Sequence, residues 1–160
     1  DGQPVARGEI GELQIRGPSA ALMYWNNREK SRHTFMGEWT RSGDKYIEID
    51  DGYYQYCGRS DDMLKVSGIY VSPFEVEAAL MTHPDILEAA VVAHADTDEL
   101  IKPKAYVVLK PGVQGSDAMK ESLKSHVKEK LAPYKYPRWV DFVDELPKTA
   151  TGKIQRFKLR

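Results

Sequence analysis

The chain contains one cysteine, Cys57, so no internal disulfide can form. Its place in a tyrosine-rich strand marks it as a small core residue and fits a reducing compartment. No apolar run approaches membrane-spanning length, and no signal peptide opens the chain. Charge of one sign is not in excess. The formal net charge is −1, which leaves no electrostatic case for nucleic acid. The histidines, His33, His83, His94 and His126, show no metal-ligand spacing with one another or with Cys57. Repeats, low-complexity segments and an initiator methionine are also missing. Asp1-Gly2-Gln3-Pro4 reads as a surface turn, so the chain is expected to be entered midway through a longer protein. What remains is a chain of one to two domains, expected to be cytoplasmic, 41% hydrophobic, with apolar material for a core of modest size.

The first third is rich in strand signals. Residues 9–16 alternate in part, with Ile10, Leu13 and Ile15 apolar. Asn26-Asn27 can cap a short helix through Phe35. Tyr46 to Ile49, Asp51-Gly52 and Tyr53 to Cys57 read as a hairpin with an Asp-Gly turn, and Trp25 and Trp39 as packing residues of this part. After Arg59 the pattern changes. Met63 to Val66 reads as a short strand. Ser72-Pro73-Phe74-Glu75 opens a helix that should end near Thr82, ahead of Pro84. Ile86 to His94 and Ala105 to Lys110 read as strands joined by an acidic loop. Ser116 caps a second helix, with Met119, Leu123, Val127 and Leu131 four apart on one side and Pro133 stopping it. Trp139 to Val143 is the last strand, with Trp139 read as core before contact with a nucleotide base. The expectation is β-α-β-β-α-β after residue 61, an α+β domain whose central sheet is covered by two helices.

Several residues stand out chemically. Pro147-Lys148-Thr149-Ala150-Thr151-Gly152-Lys153 is neither helix nor strand but a turn-rich loop. Such a loop can carry the Lys153 ammonium, a compact charge suited to phosphate or carboxylate oxygens, although a lone loop lysine is ordinarily just solvated. Arg41-Ser42-Gly43-Asp44 reads as a turn before a strand. Asp44 offers two acceptor oxygens to a ligand or caps its own backbone. The fork of Arg59 can serve hydroxyls or a phosphate, or pair with Asp61 or Asp62. Gly68, after Ser67, either permits close passage of a ligand or is a plain turn glycine. The basic tail from Lys148, with Lys153, Arg156, Lys158 and Arg160, is either a solvated end or an anion-facing edge.

Taken together, these segments resemble the adenylate-forming enzymes, a family of acyl-CoA synthetases, adenylation domains and luciferases. Gly8-Glu9-Ile10-Gly11-Glu12-Leu13, Arg41-Ser42-Gly43-Asp44, Gly58-Arg59-Ser60-Asp61-Asp62-Met63-Leu64-Lys65-Val66-Ser67-Gly68 and the Lys153 loop look like four of its motifs, in its order. Met23 to Lys30 and Gly68 to Glu77 are most similar to the benzoate-CoA ligases within it. The family's Ser/Thr/Gly-rich phosphate loop and its Tyr-Gly-x-Thr-Glu motif are absent, so the resemblance implies the C-terminal third of a larger enzyme. It implies that residues 1–58 end a large AMP-binding domain, 59–61 form a hinge with Asp61 as pivot, and 62–160 form a mobile domain.

The resemblance further implies ATP-dependent activation of benzoate as benzoyl-AMP and transfer to CoA. Lys153 would be catalytic, Asp44 and Arg59 would bind the nucleotide, and Ser67 and Gly68 would border the thiol channel. ATP, CoA and Mg2+ are the implied cofactors, the metal bound mainly by the missing domain. A protein lysine acetyltransferase acting on Lys153 is an implied partner. Another small aromatic or aliphatic acid, or a stand-alone CoA- or nucleotide-binding module, are the alternatives. The absence of a carrier domain after Lys153 argues against a peptide-synthetase module.

Overall fold

A computed structural model describes residues 2–160, apart from the side chain of Asp51. The chain divides into two compact units, Asp1–Asp61 and Asp62–Arg160.

The first unit is an antiparallel sheet with one short helix. Strand β1 (Ile10–Ile15) and strand β4 (Tyr54–Arg59) flank β3 (Trp39–Glu48), which also pairs with the short β2 (Phe35–Met36). Helix α1 (Arg28–Thr34) begins where Asn27 Oδ1 accepts the Lys30 amide at 3.1 Å, leaving one fewer unpaired first-turn donor. Two expectations are corrected here. The β3–β4 connection is a 3-10 turn over Asp50–Gly52, closed by Ile49 N to Tyr53 O at 2.9 Å, not a two-residue Asp-Gly turn. Arg41-Ser42-Gly43-Asp44 is not a turn before a strand but lies inside β3. Glu12 pairs with Lys45 and Gln14 with Arg41, so Ser42, Gly43 and Asp44 together face Leu13 alone. The bulge is built on Gly43 at φ +75°, where side-chain-bearing residues are strained.

This unit has little interior. Cys57 is buried as expected, but Trp25 is 93% exposed and Leu22, Met23, Tyr53 and Tyr54 are exposed as well. The packing role expected of Trp25 is therefore wrong within the unit: it sits exposed in the turn ahead of α1. Trp39 is also exposed, with the Arg16 guanidinium over its ring at 5.1 Å.

The second unit is α+β. A hairpin of β5 (Leu64–Val66) and β6 (Ile69–Val71) precedes α2 (Pro73–Met81). Strands β7 (Ile86–Ala95) and β8 (Ile101–Leu109) are antiparallel, and after α3 (Asp117–Lys130) strand β9 (Trp139–Phe142) adds parallel to β8. The unit has one strand more than expected, and the strand at Leu64 pairs with β6 rather than joining the three-stranded sheet. Both helices start on serine caps: Ser72 Oγ accepts from Glu75 N at 3.3 Å and Ser116 Oγ from Met119 N at 3.2 Å.

The core lies between the helices and one face of the sheet. Val76 and Leu80 of α2, and Leu123 and Val127 of α3, pack with Ala89, Val91, Ala105, Val107 and Val140, and Leu64, Val66 and Val71 of the hairpin join them. Alternation along the strands turns Ala90 and Val108 to the opposite face, where Leu146, Ile154 and Leu159 cover them. The chain on either side of Lys153 is thus anchored on that face, and the loop between is free to project.

Candidate functional site

Asp44 leaves the bulge beside the end of β4, opposite Arg59 in the strand register. Arg59 Nη1 lies 3.3 Å from Asp44 Oδ1, and its Nε lies 3.4 Å from Asp61 Oδ1. The fork therefore takes Asp61, one of the two carboxylates weighed from the sequence, together with Asp44, while Asp62 pairs with Arg156 and Arg160, and it also reaches the Ser42 carbonyl at 3.4 Å. Burial disfavours the Arg59 charge, but the Asp61 and Asp44 carboxylates more than offset this, and its pKa lies above the ordinary arginine value. A side chain at position 43 would put Cβ 3.0 Å from Arg59 Nη2, so Gly43 also makes room for the guanidinium.

Glu12 is a residue that sequence reasoning missed. Its carboxylate takes the Arg41 fork across the strands, Nη2 to Oε2 at 2.5 Å and Nε to Oε1 at 3.2 Å. The Arg41 hydrogen bond holds the Glu12 carboxyl below the ordinary glutamate range, against a smaller opposing effect of burial. Ser42 Oγ donates to Leu13 O at 2.8 Å and accepts from Asp44 N at 3.1 Å. Ser42 thus ties the bulge to β1 and closes it across Gly43. Beside it opens a cavity of about 310 Å³ lined by Tyr24, Lys30, His33, Arg41, Ser42 and Arg59 among others. Its lining, which also includes the Glu12 carboxylate, is rich in hydrogen-bonding groups and suits a polar ligand.

In the second unit, Ser67 and Gly68 form the turn of the β5–β6 hairpin, with φ +50° and +86°. Two left-handed residues are what a tight two-residue hairpin requires. Nothing lies within 4 Å of where a Gly68 side chain would begin, so the turn tip presents open backbone.

Lys153 sits on a closed loop. Lys148 and Ile154 form an antiparallel bridge, Gln155 N donates to Pro147 O at 2.8 Å, and Thr149 N donates to Lys153 O at 2.9 Å. Thr149 Oγ1 accepts the Lys153 amide at 3.1 Å. Among the described residues, no carboxylate lies within ion-pair distance of the Lys153 ammonium, and the residue is exposed. The rest of the basic tail differs. Lys148 pairs with Glu88, Arg156 with Glu77, and Arg160 with Asp62. The reading of the whole tail as an anion-facing edge is corrected: three of its five charges are neutralised within the unit, which leaves Lys153 and Lys158 exposed without a carboxylate partner among the described residues.

Glu77 and Arg156 are also functional-site candidates that the motifs did not reveal. Both are 8% exposed. Burial pushes the Glu77 carboxyl above the ordinary glutamate value, against the pull of Arg156. Truncating one member of such a pair typically costs about 3–5 kcal/mol. Trp139, half-buried, meets His94 edge-on at 4.8 Å between ring centroids. His83 and His126 meet in the same way at 5.2 Å, and among the described residues no His, Cys, Asp and Glu cluster fits a metal ion. No described helix is long and apolar enough to cross a membrane.

Nearly the whole chain is similar to known proteins. Residues 75–153 match the AMP-binding enzyme C-terminal domain. The chain is 71% identical over 153 residues to benzoate–CoA ligase of Thauera aromatica, covering 96% of this chain and 29% of that protein. It is 58% identical over 160 residues to the 4-hydroxybenzoate–CoA/benzoate–CoA ligase of Rhodopseudomonas palustris, covering 99% of this chain and 30% of that protein. Among solved structures, an anthranilate CoA ligase in complex with anthranoyl-AMP superposes with a TM-score of 0.92 at 58% identity, over 99% of this chain and 31% of that one. The chain therefore spans less than a third of the length of these relatives. Residues 75–153 belong to the AMP-binding enzyme C-terminal domain family, and nearly the whole chain is similar to part of these CoA ligases.

Proposed function

We propose that this chain is the C-terminal part of an ATP-dependent aryl-CoA ligase that activates benzoate and transfers it to CoA. The observation that carries the reading is Lys153, an exposed ammonium with no carboxylate at ion-pair distance, set on the closing pair of a hydrogen-bonded loop whose basic neighbours are all but one in ion pairs. The identity with the Thauera aromatica ligase supports it. In the first half-reaction a benzoate oxygen attacks the α-phosphorus of ATP. The bond to pyrophosphate breaks, and benzoyl-AMP forms. Bringing a carboxylate to a phosphate at about 4 Å costs roughly 4 kcal/mol per pair of charges at an effective dielectric near 20. Lys153, reaching between them, offsets that repulsion and fixes the attacking oxygen. In the second half-reaction the CoA sulfur attacks the acyl carbon, AMP leaves with the bonding pair, and benzoyl-CoA forms.

Asp44 would accept the ribose hydroxyls, with Arg59 holding its carboxylate and facing the nucleotide. Asp61 would be the pivot between the two half-reactions, and the open backbone at Ser67-Gly68 would border the CoA arm. Mg2+ would be held by residues outside this chain. Acetylation of Lys153 by a protein acetyltransferase would remove the charge on which the first step depends. Relatives named for 4-hydroxybenzoate and anthranilate mark the acid's ring substituents as the variable part of the substrate.

The experiment is a product balance on the intact protein with ATP, CoA and each of benzoate, 4-hydroxybenzoate and anthranilate. The reading expects aryl-CoA, AMP and pyrophosphate in equal amounts, benzoate turning over fastest, and no pyrophosphate from the 160-residue chain alone. Release of ADP and phosphate by the intact protein, or turnover by the isolated chain, contradicts it.

A further inference from the structure

Arg156 stands three positions beyond Lys153 and, unlike it, is buried. Its Nη2 donates to both Glu77 oxygens, at 2.9 Å and 2.8 Å, and its Nε to Oε1 at 3.3 Å. Its Nη1 lies 3.8 Å from Asp62 Oδ2, and its plane lies over the Phe74 ring with the guanidinium carbon 4.5 Å from the centroid. The partner is equally fixed. Glu77 belongs to α2, and its Oε1 also accepts the Val91 amide of β7 at 2.8 Å. Asp62 is held a second time by Arg160. One planar group thus ties together the helix, the sheet, the first residue of the second unit and the foot of the Lys153 loop.

A buried ion pair of this kind is a poor device for stability alone, because desolvation of both charges offsets most of their attraction. It is a good device for geometry, since a forked, stacked guanidinium has few orientations. The stem above it is short and closed by the Gln155–Pro147 and Thr149–Lys153 hydrogen bonds. Displacement of Arg156 therefore passes directly to the Lys153 backbone. Lys148, on the other side of the stem, is itself exposed and pairs with the half-buried Glu88, without the fork that Arg156 offers.

We propose that Arg156, clamped by Glu77 and Asp62, is a positioning residue for Lys153. It makes the residue next to the Asp61 pivot and the lysine loop move as one body. The proposal rests on the reading of Lys153 as the adenylation lysine. A clamp that only stabilised the fold would affect both half-reactions alike. One that positions Lys153 affects adenylation alone, and only while Lys153 is present.

The test is single-turnover kinetics of each half-reaction in the intact enzyme for Arg156→Lys, Lys153→Ala and the double variant. Arg156→Lys keeps the charge and loses the fork. It is expected to slow benzoyl-AMP formation about ten- to a hundred-fold, the scale of a small misplacement of a reacting group. Thioester formation from preformed benzoyl-AMP should stay within about twofold, and the double variant should be no slower than Lys153→Ala. Glu77→Gln, which retains shape and one acceptor, carries the same comparison if Arg156→Lys does not fold. Equal losses in both half-reactions, no loss, or additive losses alongside a selective Lys153→Ala defect overturn the clamp and leave the lysine reading standing. A Lys153→Ala enzyme that still forms benzoyl-AMP at the normal rate overturns both.

Discussion

At the scale of single residues, charge is used here chiefly to hold other groups in place. Glu12 fixes Arg41, Asp44 and Asp61 share Arg59, and Glu77 with Asp62 fixes Arg156. Glu12 gives a pH prediction whose sign is set by its lowered pKa. A carboxylate favoured in the folded state adds stability above its unfolded value and loses it as pH falls through the lower, folded value. The melting temperature of the intact protein should thus exceed that of Glu12→Gln near neutrality, and the gap should close on acidification below the ordinary glutamate range. A gap independent of pH would show that Glu12 contributes shape and not charge.

At the scale of elements, the helices were the most legible part of the chain, because their signals are local. Asn27, Ser72 and Ser116 cap helices within three residues of themselves, and all three caps form as the spacing predicts. Of the β5–β6 hairpin only the first strand was legible, over Met63 to Val66: β6 is too short to show alternation, and Ser67 is an unusual residue at positive φ. The bulge at Gly43 was mistaken for a turn because glycine between polar residues looks the same in either setting. The Glu77–Arg156 pair was hidden by separation, since its members lie 79 residues apart. One signal did exist. Glu77 falls among Val76, Ala79 and Leu80 on the buried side of α2, where an unpaired carboxylate could not remain. The hairpin yields a further prediction. Gly68→Ala meets no atom in its surroundings but must hold φ near +86°. That strain alone costs about 1 kcal/mol, so the melting temperature should fall by a few degrees. An unchanged melting temperature would mean that the turn can be rebuilt without a glycine.

At the scale of the whole molecule, the two units have opposite characters. The unit from Asp62 has a closed core with apolar residues on both faces of its sheet. The unit before it buries Cys57 and leaves Leu22, Met23, Trp25, Tyr53 and Tyr54 exposed, an apolar surface that suits contact with more protein. This agrees with a chain that spans less than a third of the ligases it resembles. On the proposed reading, the second unit would bring Lys153 to the nucleotide for one half-reaction and withdraw it for the other. Lys153→Ala in the intact enzyme, with both half-reactions timed separately, tests this most directly. The account predicts that benzoyl-AMP formation falls on the order of a hundred- to a thousand-fold, as for loss of one preorganised charge contact, while benzoyl-CoA formation from preformed benzoyl-AMP stays near the wild-type rate. Equal loss in both half-reactions, or none in the first, would contradict it.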